Sequence, residues 1–173
     1  MDVYDAIRQR RSVRKFEDRP IPEDVLNRVL DAGVLAPTGR NLQEWKYVVV
    51  RESNAKKLLA DASEQPFLAA AQAIVAVVSL DPERKMYCGI SAGAVDCAIV
   101  IDHMTLAAVA EGLGSCWIGH FDQDKCRQIL DVPASAKIIE MLVLGYPADK
   151  PSDKKRKTLD ELACWEKFSA DGS

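Results

Sequence analysis

A run of mostly apolar and small residues at positions 91–111 constrains the fold more than any other feature of the sequence. It carries apolar side chains on nearly every side of a helical wheel, and such a helix is buried either in a protein core or in a membrane. Asp96, Asp102 and His103 interrupt the run before it reaches the ~18 apolar residues of a membrane span. Gly112 then supplies the left-handed residue that commonly ends a helix. We predict a core helix about 30 Å long, which delivers the following Trp117-Ile-Gly segment as a corner of the chain.

Buried strands alternate with amphipathic helices along the rest of the sequence. Residues 46–51, 72–80 and 137–144 are rich in apolar, mostly β-branched residues and predict strands. Helical spacing of apolar residues predicts helices after Asp2, after Pro22, over residues 54–63 and after Asp122. A terminal helix is predicted to carry Leu159, Leu162 and Trp165. This alternation predicts an α+β or α/β fold with a central sheet, in one domain over residues 1–173.

Charge and cysteine content argue against several classes of function. The chain has 23 Lys and Arg against 26 Asp and Glu, a net charge of −3, so we expect no nucleic-acid and no membrane partner. Its five cysteines form no Cys-x-x-Cys pair and it has only two histidines, which argues against zinc or iron–sulfur sites. An odd number of cysteines and an N-terminus without an apolar stretch favour a cytoplasmic protein.

The positive charge is concentrated in two distant segments. Residues 8–19 contain six Arg or Lys, and residues 150–157 contain five. An arginine guanidinium group can bind two phosphate oxygens in a bidentate manner, and a serine hydroxyl such as that of Ser12 adds a further hydrogen-bond donor. Either segment alone is more often a solvated loop. Two of them in an acidic chain favour a shared polyanionic ligand.

The remaining polar candidates carry weaker signals. The Thr38 hydroxyl and the amides of Asn41 and Gln43 lie at a helix-to-strand junction, where amides can bind the edge of a planar heterocycle. Taken alone, this segment is more often ordinary loop structure. Cys116 has no basic residue within three positions, so a nucleophilic role is unsupported. His120 is only a weak catalytic candidate.

Three motifs, taken together, resemble those of the nitroreductase family of FMN-dependent oxidoreductases. They are Arg10-Arg-Ser-Val-Arg-Lys-Phe, Ala36-Pro-Thr-Gly-Arg-Asn-Leu-Gln-Glu-Trp and Gly112-Leu-Gly-Ser-Cys-Trp-Ile-Gly-His-Phe, in this order. The resemblance extends from the first helix to Arg156. It implies a nitroreductase-like α+β fold with a central mixed sheet flanked by helices, and a homodimer whose interface contains the long helix.

The resemblance also implies one FMN in each of two clefts between subunits. Arg10, Arg11 and Ser12 would hold its phosphate and ribityl chain, and Arg14 would lie at the pyrimidine end of the ring. A cation there stabilises the negative charge that reduction produces. The second motif would reach the FMN of the other subunit, the third would lie along the isoalloxazine ring, and the late basic loop would close on the phosphate. The residues implied in these three segments are Pro37, Thr38, Gly39, Asn41, Trp117, Ile118, Gly119, Lys154 and Arg156.

The implied activity is a ping-pong transfer of hydride from NADH or NADPH through FMN to a nitroaromatic, a quinone or a similar acceptor. No catalytic side chain is assigned, because the cofactor supplies the chemistry. Other flavin chemistry on the same scaffold (dehalogenation, enone reduction, flavin breakdown), a non-catalytic flavin-binding module and a nucleic-acid binder that uses both basic segments are the alternatives.

The chain departs from the family pattern in three respects. Glu44 stands where the family usually has Pro, which puts a carboxylate near the expected mouth of the site. Thr38 replaces the more common Ser. The chain is also short for the family and leaves little room for a helical lid, so we expect an open pocket.

Overall fold

A computed structural model describes residues 1–149, 152 and 154–169. These residues form five α-helices, four strands and two short 3₁₀ helices, Gly39–Asn41 and Pro66–Ala70. The α-helices are α1 (Val3–Gln9), α2 (Glu23–Val34), α3 (Ser53–Ala62), α4 (Ala92–Ala110) and α5 (Gln123–Ile129). The strands are β1 (Trp45–Val50), β2 (Ala73–Ser79), β3 (Gly114–Ile118) and β4 (Lys137–Gly145).

The four strands form one sheet in the order β1-β2-β4-β3. All three neighbouring pairs are antiparallel, so the expectation of a mixed sheet was wrong. Val50, at the end of β1, pairs with Ile74, near the start of β2, so the chain leaves the sheet and re-enters it after α3 at the same end. Strand β2 therefore runs antiparallel to β1. Within the described residues, parallel pairing is limited to the bridge between Ser12 and Ser115.

Both faces of the sheet are covered. All seven residues of β2 are buried. Ile74 and Val78 face a core that includes residues of α3 and α5, whereas Val75 and Val77 face a second core that includes residues of α2 and α4. Full burial of one such side chain contributes about 1.5–3 kcal/mol, so β2 is stable only as an interior strand.

Helix α4 packs across the second of these cores. The Ser91 hydroxyl accepts a hydrogen bond from the Ala94 N–H at 3.3 Å and caps its start. Gly112, with φ +74°, follows its end as predicted. Val100 and Met104 are fully buried on the side that faces the sheet.

The opposite side of α4 is open in the protomer. Ile99 and Leu106 are half-buried and Asp102 is exposed, so the predicted all-round burial holds for one side only. Among the described residues, α4 is the one helix with the length and composition of a membrane span, and about half of it is buried inside the protein. Burial against the sheet is the pattern of a core helix rather than of a span.

Two local predictions are wrong. The predicted corner at Trp117-Ile-Gly is the end of strand β3, in which Trp117 pairs with Leu142 of β4. The predicted terminal helix is absent from described residues 158–169, which form turns. Leu159, Leu162 and Trp165 are 71%, 68% and 76% exposed. An isolated short helix is marginal in water, and these side chains have no surface in the described protomer that would stabilise one.

Candidate functional site

The two basic segments from opposite ends of the chain meet at one cleft. It has a volume of about 610 Å³ and is lined by Ile7, Arg8, Arg10, Arg11, Lys154 and Arg156. Five cationic side chains around one cleft repel each other, and a bound anion would relieve that repulsion. Lys150, which belongs to the second segment, lies outside the described residues.

Backbone pairing with β3 positions the first motif at this cleft. The Val13 N–H donates to the carbonyl oxygen of Ser115 at 2.9 Å, and Ser12 forms a parallel bridge with the same residue. The two backbones come this close because of Gly114. A Cβ atom at that position would lie 2.6 Å from Cγ2 of Val13. The third motif thus supports the first through its main chain.

A smaller cleft of about 190 Å³ shares Arg11 and Lys154 with the first and is also lined by Ser12 and Arg14. Arg11 Nη1 donates to the carbonyl oxygens of Arg8 and Arg10 at 2.6 and 2.9 Å, which fixes its guanidinium group against the backbone. Arg14 is exposed and forms no ion pair with any described residue. Its charge is therefore available to a ligand.

Cys116 lies beneath this basic region on the inner face of β3. Burial raises the pKa of its thiol, and Arg14, Ser12, Lys154 and Arg10 offset part of that effect. The thiol is protonated at neutral pH and is a poor nucleophile. Local spacing in the sequence cannot reveal these cations, because folding brings them to Cys116 from other segments.

The second motif forms a strained loop before β1. Arg40, Asn41 and Gln43 have φ values of 57°, 56° and 54°. A left-handed conformation costs roughly 1–2 kcal/mol for a residue with a side chain, so the surrounding structure must hold it. The Thr38 hydroxyl accepts the Gln43 N–H at 3.1 Å and closes the loop.

A partly buried network that the sequence did not reveal anchors this loop. Asp96 of α4 accepts the Gly39 N–H at 3.1 Å, and its other oxygen lies 3.0 Å from Nη2 of Arg84. Arg84 Nε lies 2.8 Å from Oε2 of Glu44. The Glu44 carboxylate, which we expect near the mouth of the site, is paired with Arg84. The loop leaves Pro37, Gly39 and Asn41 exposed.

The first and second motifs lie at opposite ends of α4. The second contacts Asp96, in the second turn of the helix, whereas the first pairs with Ser115, which follows the end of the helix. The distance along the helix axis from Asp96 to Ala110 is about 21 Å at ~1.5 Å per residue. One protomer therefore does not bring these two motifs to the same place.

The third motif turns its large side chains into the protein. Trp117 Nε1 donates to the Thr105 hydroxyl of α4 at 2.8 Å, and Ile118 is 1% exposed in the opposite core. Gly119 is exposed, and a Cβ atom there would lie 3.3 Å from Oε1 of Glu140. Burial raises the pKa of that carboxyl group. A ligand at this edge would therefore meet main chain and Glu140 rather than the Trp or Ile side chains.

Comparison with known proteins identifies the family. The family profile described as "Putative TM nitroreductase" matches residues 2–171. The chain belongs to the nitroreductase family. A curated relative from Methanothermobacter thermautotrophicus, named "Putative NADH dehydrogenase/NAD(P)H nitroreductase", is 28% identical over 158 residues, which cover 89% of this chain and 82% of the relative.

Solved structures share the fold of this nitroreductase-family protein. A nitroreductase family protein from Clostridium novyi is 29% identical, with a TM-score of 0.83 over 93% of this chain and 91% of that one. An FMN-dependent nitroreductase from Clostridium difficile is 24% identical, with a TM-score of 0.83 over 94% and 98% of the two chains. The nitroreductase-like α+β fold implied by the sequence motifs is confirmed.

In the described part of the chain, no group of three or more His, Cys, Asp or Glu side chains is placed to hold a metal ion.

Proposed function

We propose that this protein is a cytoplasmic, homodimeric, FMN-dependent NAD(P)H oxidoreductase. The observation that carries the proposal is the cleft at which cations from both ends of the chain, among them Arg10, Arg11, Lys154 and Arg156, converge. The names of the family relatives, which include NAD(P)H nitroreductases and an FMN-dependent nitroreductase, agree with it. The free state of all five cysteines agrees with a reducing compartment.

The donors at the basic cleft fit a flavin phosphate. A phosphate monoester carries up to two negative charges, and guanidinium groups match its oxygens in geometry and charge. Arg10, Arg11, Lys154 and Arg156 would bind the phosphate, with the Ser12 hydroxyl as a further donor. Arg14 would place a fixed positive charge near the part of the flavin that becomes negative on reduction. The backbone at Trp117, Ile118 and Gly119 would lie along the ring.

The separation of the motifs along α4 supports a homodimer. The loop that carries Pro37, Thr38, Gly39 and Asn41 is too far from the basic cleft of its own protomer, so it would complete the cleft of a partner. The half-open side of α4 and the exposed side chains of Val3, Tyr4 and Ile7 on α1 would form the interface. Contiguous apolar surface of this kind marks interaction sites.

FMN, when bound, accepts and donates hydride. NADH or NADPH would give up a hydride at the cleft and leave as the oxidised nucleotide. A nitroaromatic, a quinone or a similar acceptor would then receive a hydride at the same place and take one proton from solvent. One cleft used in turn by two substrates gives ping-pong kinetics. The protein binds and orients, and we assign no side chain to proton transfer.

The test is the visible absorption spectrum of the purified protein, before and after anaerobic addition of NADH and then NADPH. We expect flavin bands that bleach and that return when a nitroaromatic or a quinone is added. A protein that stays colourless after incubation with FMN would contradict the proposal. Bands that neither nucleotide bleaches would indicate a non-catalytic flavin-binding module instead.

Two substitutions test the site assignment. Arg10→Ala and Arg156→Ala each remove a charge-assisted contact worth about 1.5–3 kcal/mol, so the Kd of FMN should rise roughly ten- to hundredfold. Lys155→Ala is the matched control, because Lys155 belongs to the same segment but does not line the cleft. Wild-type FMN affinity in both Arg10→Ala and Arg156→Ala would refute the assignment.

A further inference from the structure

A third cleft lies beside the second-motif loop, apart from the basic cleft. Its volume is about 340 Å³, and the side chains of Arg40, Leu42, Arg84, Lys85, Met86 and Tyr87 line it. Small-molecule sites commonly have volumes of ~300–1,000 Å³, so this cleft has the size to hold part of a nucleotide.

The rim of this cleft carries two unneutralised positive charges. Arg84 is paired with both Glu44 and Asp96, so its charge is more than neutralised and these three groups together carry one negative charge. Arg40 and Lys85 are both exposed, and neither forms an ion pair with a residue in the described part of the chain. Two cations that face one cleft without a carboxylate partner favour an anionic ligand.

An aromatic ring stands next to these cations. Tyr87 is fully exposed, at 110% of its reference accessibility. It lies at the tip of a hairpin in which Met86 donates to the carbonyl oxygen of Ile90 at 2.8 Å and Lys85 forms an antiparallel bridge with Ser91. Gly89, with φ +87°, closes the turn. The ring is thus held by an ordered backbone and is available for stacking.

We propose that this cleft binds the adenosine 2′-phosphate end of NADPH, so that the protein uses NADPH in preference to NADH. The inference rests on the proposed function, because the second motif would then lie at the flavin of the partner subunit. The nicotinamide end of the hydride donor must reach that flavin, and the far end of the same extended molecule would reach the cleft next to the loop. The 2′-phosphate is the group that NADPH has and NADH lacks. Arg40 and Lys85 bind it, and the adenine base stacks on Tyr87, as bases stack on exposed aromatic side chains elsewhere.

Calorimetric titration of the FMN-loaded protein with adenosine 2′,5′-bisphosphate tests the proposal without any reduction of flavin. We expect this probe to bind roughly tenfold or more tightly than adenosine 5′-monophosphate, since each charge-assisted hydrogen bond contributes about that factor. Arg40→Ala and Lys85→Ala should each weaken binding of the bisphosphate roughly tenfold and leave binding of the monophosphate unchanged. Tyr87→Ala should weaken both probes, whereas Tyr87→Phe keeps the ring and should bind both as wild type does. Lys57→Ala, which removes an exposed cation from α3, is the control for a general loss of charge.

Steady-state kinetics provide a second readout. The ratio of kcat/KM for NADPH to that for NADH should exceed one in the wild type and should fall roughly tenfold in Arg40→Ala and in Lys85→Ala. Equal affinity of the wild type for the two probes, or wild-type affinity for the bisphosphate in both variants, would overturn the inference. These outcomes are distinct from failure of the proposed function, which appears as a colourless protein or as flavin that neither nucleotide reduces.

Discussion

Arg84→Ala should destabilise the protein by about 2–3 kcal/mol, because it breaks the network that anchors the second-motif loop. Removing one partner of a buried ion pair costs about 3–5 kcal/mol. The cost here is smaller for two reasons. The Arg84 and Asp96 side chains are 23% and 9% exposed, and Asp96 keeps its hydrogen bond from the Gly39 N–H. The contact of Arg84 Nε with Glu44 is ionic rather than a well-aligned hydrogen bond, so it adds little.

Urea and thermal unfolding measure the effect. For a chain of this length, 1 kcal/mol changes the melting temperature by about 2–4 °C, so Arg84→Ala should lower it by about 4–12 °C. Asp96→Asn keeps the acceptor for Gly39 and removes the charge that Arg84→Ala leaves unpaired. The double variant should therefore lose less stability than the sum of the single losses. Arg28→Ala, which breaks a more exposed pair with Glu111, is the control and should change stability much less.

Two results would refute this reasoning. One is a loss below about 0.5 kcal/mol for Arg84→Ala, the usual range for a surface substitution. The other is additive losses in the double variant, which would show that Arg84 and Asp96 do not act as a pair. Loss of the anchor should also weaken FMN binding, since the left-handed residues of the loop would relax to other conformations.

The remaining predictions concern the third motif. Gly114→Ala would place Cβ 2.6 Å from Val13, so the first motif must move away from β3. We expect a destabilisation of about 1–3 kcal/mol by urea unfolding, together with weaker FMN binding. Gly112→Ala is the comparison, because a Cβ atom there would have no other atom within 4 Å. It should leave the position of the first motif unchanged. Glu140→Gln should be more stable than wild type at pH 7 but not at pH 4. Burial raises the folded pKa of Glu140, so the stability that it contributes is present below its unfolded pKa and is lost as pH rises through the folded pKa. Equal effects of Glu140→Gln at both pH values would contradict this.

Patterns local in sequence predicted the elements whose burial follows from their own residues. The buried side of α4, the interior strands β2 and β4, and the caps at Asp2 and Asp122 lie where apolar periodicity and capping residues indicated. Strand β3 was missed because its five residues begin at Gly114, are followed by Gly119, and lack the apolar run of a buried strand. Only the pairing with β4 makes this segment extended.

The parts of the site that the sequence did not reveal are contacts over long sequence separations. Asp96 and Arg84 belong to no recognisable motif. Asp96 binds Gly39 and Arg84 pairs with Glu44, so the role of each residue depends on a partner from an earlier segment of the chain. The cations around Cys116 likewise come from other segments. The basic segments at residues 10–12 and 154–156 could be related from the sequence, because two basic clusters in an acidic chain already indicated one shared anion. The structure places Arg10, Arg11, Lys154 and Arg156 at one cleft, and their role in FMN binding stays a prediction.

Helix α4 connects these observations. Asp96 near its start fixes the loop of the second motif, and the turn after its end leads into β3, which fixes the first motif. A rigid helix between two anchored motifs holds them apart, so neither can move to a ligand bound at the other without unfolding part of the core. In the proposed homodimer, the second motif of the other chain would complete the basic cleft, and the open side of α4 would be the surface on which that chain packs. The same helix would therefore explain, in the proposed homodimer, both why a partner completes the site and where that partner packs.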